Sequence, residues 1–119
     1  MMRLLFEASA PVRAPLAQVQ RLIDDEWVLG PMLGESGRAY VDIDHRDGAV
    51  GFQGHWWYRG ELSAAESTDG TVVTYRVYNI AQRAAWAVPL ANRLFIGYAR
   101  TVRDGVAGVA QAIEQHLAD

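Results

Sequence analysis

LANRLFIGYARTVRDGVAGVAQAIEQHL, residues 90–117, is the stretch on which the reading of the fold turns. Pro89 stands just before it, where a residue without an N–H can open a helix but not interrupt one, and no proline follows. At the α-helical step of about 100° per residue, Leu94, Tyr98, Val102, Val106, Val109, Ile113 and Leu117 fall in one broad stripe. Arg93, Arg100, Arg103, Asp104, Gln111 and Glu114 fall on the other side. The spacing predicts a long amphipathic helix. Its stripe needs a large apolar surface to lie on, and the rest of the chain must supply it.

One flank of the stripe is made of small residues. Thr101, Gly105, Gly108 and Ala112 fall together next to Leu94. Glycine inside a helix costs about 1 kcal/mol relative to alanine, so two of them need a reason. Two readings stand. Either the small residues let another backbone approach closely, or they leave a hollow between helix and sheet. The hollow is the functional reading, because a void between a helix and a curved sheet is a ligand cavity.

Upstream, the period changes from helix to strand. Arg3 to Val12 alternates, with Leu4, Phe6, Ala8 and Ala10 on the apolar side, and is predicted as an opening strand. Pro15 suits the first turn of a short helix that runs through Asp25, with Leu16, Val19, Leu22 and Ile23 on its apolar side. Trp27 to Gly37 carries Gly30, Pro31, Gly34 and Gly37 and is predicted as an irregular loop. Its Trp27, Val28, Leu29, Met32 and Leu33 require it to cap the core or to act as a lid over a cavity.

Tyr40 to Asp44 is predicted as a strand and Arg46-Asp47-Gly48 as a hairpin turn. From Ala49 to Glu66 the apolar residues Val50, Phe52, Trp56, Tyr58, Leu62 and Ala64 keep even parity. That predicts one bent strand, or two with Gly54 or Gly60 at the break. Ser67 to Gly70 is a second turn, and Thr71 to Ile80 alternates Val73, Tyr75 and Val77 against Thr74 and Arg76. Ala81 to Val88 links the last strand to the closing helix.

Length and composition bound the function. A chain of 119 residues, 50% of them hydrophobic, supports one domain over residues 1–119 with one core. With a net charge of −3 and scattered basic residues there is no footprint for nucleic acid. The absence of cysteine excludes disulfides, thiolate catalysis and Cys-containing zinc sites. Leu4-Leu5-Phe6 imitates the core of a signal peptide, but Glu7 interrupts it, and no apolar run is long enough for a membrane span. The expectation is a soluble, cytoplasmic protein with no membrane insertion.

The order of elements carries a resemblance. Val12-Arg13-Ala14-Pro15-Leu16-Ala17-Gln18-Val19, then Asp69-Gly70-Thr71-Val72-Val73-Thr74, then the closing helix, resemble the START/Bet v 1-like superfamily, in its polyketide cyclase and lipid-transfer branches. The resemblance implies an α+β helix-grip fold, in which a curved antiparallel sheet wraps around the long C-terminal helix and leaves an apolar cavity between them. Tyr40 to Ile80 has room for three or four strands where the full fold uses six. A sheet so shortened leaves an edge that seeks a partner.

Candidate chemistry is sparse. Asp42, Asp44, His45 and Asp47 form the densest set of possible metal ligands, but they lack EF-hand spacing, and no metal or other cofactor is expected. His55 is the candidate general base, though its parity points it outward. No serine or threonine stands in triad spacing, and Gly48, Gly51 and Gly54 lack the lysine and helix start of a phosphate loop. Trp56, Tyr58, Tyr75 and Tyr98, with Gly105 and Val109, are the predicted ligand-binding residues, since hydroxyl-tipped aromatics suit an apolar ligand with a few polar groups. An aromatic core with no hollow is the alternative.

Three functions follow from this reading. The first is binding of a hydrophobic or aromatic small molecule, lipid- or polyketide-like. The second is a cyclase-like enzyme using Tyr58, Tyr75 or His55, which the resemblance alone implies. The third is an interaction module, a homodimer joined through a sheet edge or through Trp57 with Leu29, Met32 and Leu33.

Overall fold

The computed structural model describes residues 3–39, 41–54, 58–79 and 98–119. Among them the chain runs β1 (Arg3–Val12), α1 (Leu16–Asp24), α2 (Leu29–Arg38), β2 (Asp42–Arg46), β3 (Ala49–Gln53), β4 (Tyr58–Ser67), β5 (Gly70–Asn79) and α3 (Tyr98–Ala118). The strands form one open antiparallel sheet in the order β1-β5-β4-β3-β2. The first strand thus pairs with the last, and β1 and β2 are the two edges. The fold is α+β.

Alternation sorts the sheet into two faces. Val50, Phe52, Leu62, Val73 and Val77 are fully buried on one of them. The register joins these positions across the strands: Val50 pairs with Leu62, Leu62 with Tyr75, and Tyr75 with Ala8. The helices cover this inner face: α3 lies along β1 and touches β5, α1 lies over β3, β4 and β5, and α2 packs on α3. Ala8 and Ala10, small residues on the inner side of β1, let α3 come close to the strand.

The closing helix buries the predicted stripe. Val102, Val106, Val109 and Ile113 are at most 2% exposed, and Leu117 packs partly buried at the end. Full burial of such a side chain is worth about 1.5–3 kcal/mol, so this stripe is a principal source of the domain's stability. Residues 90–97, including Leu94, lie outside the described residues, as does the predicted linker over 81–88.

Two turns work as their sequences require. Asp47 and Gly48 have φ of 51° and 82°, the paired positive values of a two-residue type I′ hairpin between β2 and β3. Gln20 Nε2 on α1 donates to Gly48 O at 2.6 Å and ties the helix to this turn. At the β4–β5 turn, a Cβ on Gly70 would meet Val12 O at 2.8 Å and Ala14 O at 2.9 Å. Thr71, fully buried, donates its hydroxyl to Ala14 O at 2.7 Å. The Asp-Gly-Thr segment therefore docks directly on the Val-Arg-Ala-Pro segment; the two motifs are halves of one contact.

Four expectations are corrected. Leu29 to Arg38 is helical, broken only at Gly34 with φ 71°, where an irregular loop was expected. Pro31 sits in the opening turn of this helix, where a missing N–H costs nothing. Its Val28 and Leu29 are fully buried and Trp27, Met32 and Leu33 partly so, so the segment packs on the core. Leu4 is 47% exposed because a bulge between Leu4 and Phe6 inserts Leu5 and reverses the parity of the strand's first residues. Pro15 is the N-cap of α1 and its carbonyl accepts from the N–H groups of Gln18 and Val19; it does not enter the first turn. The second strand of the sheet is shifted, running from Asp42 to Arg46, and Tyr40 lies outside the described residues.

Candidate functional site

The predicted site lies between the inner face and α3, and two of its six predicted residues are buried core residues. Tyr75 is 6% exposed and lies beside Phe52, with ring centroids 5.9 Å apart. Val109 is 1% exposed on the buried stripe of α3. A Cβ added to Gly105 would meet only Met32 Sδ, at 3.9 Å, so this glycine faces α2. Gly108 is exposed and open, with Thr101 exposed on the same flank. The flank of small residues borders the α2–α3 seam and solvent, and neither glycine is required by a close backbone approach. Tyr58 opens β4 opposite Asn79, and Tyr98 opens α3, but their side chains lie outside the description. Trp56, Trp57 and His55 lie outside the described residues altogether.

The strongest electrostatic feature is on the opposite, outer face. Arg59 on β4 is only 3% exposed. Its guanidinium binds Asp44 in a bidentate pair with two distances of 2.7 Å, and reaches Glu61 at 2.9 Å and Gln53 at 3.2 Å. The hydrogen bond from Arg59 holds the Asp44 carboxyl below the usual carboxylate range, and burial opposes it. The same bond, first among its partners, pushes Arg59 up, so the guanidinium is a permanent cation. Gly51 of β3 makes room for it, since a Cβ there would meet Arg59 Nη2, Asp44 Oδ1 at 2.8 Å and Arg59 Cζ at 2.9 Å. Three strands are thus stapled by one arginine. Beyond it the face continues as cross-strand pairs, Arg76 with Glu7 at 2.7 Å and Ser9 with Thr74 at 2.9 Å.

This network also divides the Asp42, Asp44, His45 and Asp47 set. Asp44 is committed to Arg59 on the outer face, while His45, one residue on, bonds Glu26 at 2.8 Å on the helix side. No group of three or more His, Asp or Glu among the described residues is placed to hold a metal ion.

A surface cleft of about 830 Å³ lies where the two docked motifs meet the end of α3. Its walls are Pro11 to Pro15, Asp69 to Thr71 and Glu114. Glu114 Oε1 accepts the Arg13 N–H at 2.8 Å and so pins the β1–α1 link to the closing helix. Sequence reasoning missed the Arg59 network because odd parity on β4 reads as solvated. The usable signal was a glycine in mid-strand, Gly51, opposite an Arg-x-Glu strand.

No described helix is long and apolar enough to cross a membrane. Comparison with protein-family models gives no match for this chain, and no curated protein matches it either.

Proposed function

We propose that this protein binds an apolar or aromatic small molecule, lipid- or polyketide-like, between the inner face of the sheet and α3. The observation that supports this reading is the layering. The first strand pairs with the last, every described helix that packs on the sheet lies on one face, and the final helix returns along β1. That is the connectivity a helix-grip needs, and it agrees with the resemblance to the START/Bet v 1-like superfamily. Tyr75 then supplies an aromatic wall with a hydroxyl on the sheet side, and Val109 the facing wall on the helix. Trp56, Tyr58 and Tyr98 complete the same proposal from their places in the sequence.

The test is titration with the fluorescent probe 1-anilinonaphthalene-8-sulfonate, with near-ultraviolet circular dichroism confirming a packed protein. The parent should saturate at one site, and Val109→Phe, which fills the space from the helix side, should weaken uptake by about tenfold at a stability cost of about 1–3 kcal/mol. Absence of saturable uptake by the parent, or equal uptake by a folded Val109→Phe variant, contradicts the proposal.

A further inference from the structure

Two consecutive residues between α1 and α2 are each held by a histidine from a distant part of the chain. Glu26 Oε2 lies 2.8 Å from His45 Nε2 on β2, while its Oε1 accepts from Arg38 Nη2 at 2.8 Å. Trp27 stacks on His116 in the last turn of α3, with ring centroids 4.4 Å apart and planes at 28°. β2 is one edge of the sheet, and α3 lies along β1, the other edge. The Glu26–Trp27 turn therefore contacts an edge strand of the sheet through one residue and the closing helix through the next.

The turn is also strained. Glu26 has φ 63°, a left-handed conformation that a residue with a long side chain rarely adopts. Such strain persists only where the surroundings over-determine it. Here the carboxylate has two partners, and the next two residues, Val28 and Leu29, are fully buried. Yet the partners themselves are accessible, with side-chain exposures of 44% for Arg38 and 39% for His45. Both can let go into water without a desolvated intermediate.

We infer that the Glu26–Trp27 turn is a strap that closes the inner space, and that its release lets an apolar ligand pass; the inference rests on the binding function proposed above. Release withdraws Val28 and Leu29 from the core, so the open state is a small minority. The strap then governs the rate of uptake and leaves affinity alone.

Glu26→Gly tests this, since it removes both carboxylate contacts and relieves the positive φ. Glu26→Gln, which can still bond Arg38 and His45, is the control for folding and should keep the parent's behaviour. Hydrogen exchange without ligand should show the amides of Val28 to Met32 opening about tenfold faster in Glu26→Gly, with those of Val106 to Ile113 unchanged. Stopped-flow mixing with 1-anilinonaphthalene-8-sulfonate should show association and dissociation both faster by about fivefold, with Kd constant within about twofold. Faster exchange with unchanged probe rates overturns the strap's role in passage, and unchanged exchange overturns the strap itself. A parent that takes up no probe, with the amides of Val28 to Met32 still exchanging faster in Glu26→Gly, overturns the binding function and leaves the opening of the turn standing.

Discussion

Gly51→Ala is the substitution on which local propensity and the structure disagree. Alanine in mid-strand is favoured over glycine by about 0.5–1 kcal/mol, because it loses less freedom on folding. At this position the methyl would stand where Arg59 Nη2 lies and within 2.9 Å of Arg59 Cζ. A guanidinium at the end of a free side chain would swing aside at little cost. Arg59 is 3% exposed and held by Asp44, Glu61 and Gln53, so moving it breaks the bidentate pair and leaves a buried cation short of acceptors. Hydrogen bonds to charged groups are worth about 1.5–3 kcal/mol each, reduced here because Asp44 is half exposed. The net expectation is a loss of about 1–3 kcal/mol, or roughly 4–15 °C in Tm for a domain of this size. The assay is a double-mutant cycle by urea or thermal unfolding with Arg59→Met. In the Arg59→Met background the alanine should cost nothing or gain a few tenths of a kcal/mol. An equal effect of Gly51→Ala in both backgrounds refutes the reasoning.

The same pair sets an acid limb. Arg59 holds Asp44 below its ordinary value, so the unfolded chain takes up that proton first as pH falls. The stabilisation is complete above about pH 4 and is lost as pH falls through the lowered folded value, so the Tm difference between parent and Asp44→Asn should shrink toward zero in strong acid. Thr71→Val removes the buried hydroxyl bond to Ala14 O at 2.7 Å and should cost about 1–3 kcal/mol in chemical unfolding, because the carbonyl loses its partner. We propose a homodimer through an edge of the sheet; sedimentation at micromolar concentration should show twice 13.2 kDa, reduced to the monomer by Trp57→Lys, and a parent that sediments at 13.2 kDa contradicts it.

What the sequence made legible was whatever repeats with a strong period. The stripe from Val102 to Ile113 and the alternation of Val73, Tyr75 and Val77 are long enough for burial to dominate every local preference. α2 was hidden by Gly30, Pro31, Gly34 and Gly37, although Leu29, Met32 and Leu33 stand at helical spacing and proline is welcome in a first turn. Leu4 was assigned to the wrong face because a bulge leaves no mark in the residue pattern. Arg59 with Asp44, and Glu26 with His45, join residues that only the folded chain brings together, so their spacing in the sequence does not pair them. Of the residues proposed for the site, Tyr75 and Val109 are buried in the core, and Gly105 stands next to Met32 of α2.

Native mass spectrometry of the protein purified from the organism that encodes it tests the proposed function most directly. The account predicts a mass above that of the 13.2 kDa chain by a single small molecule, released by organic solvent and excluded by Val109→Phe. A bare chain from the native source, together with no saturable uptake of apolar probes by the folded protein, would contradict it.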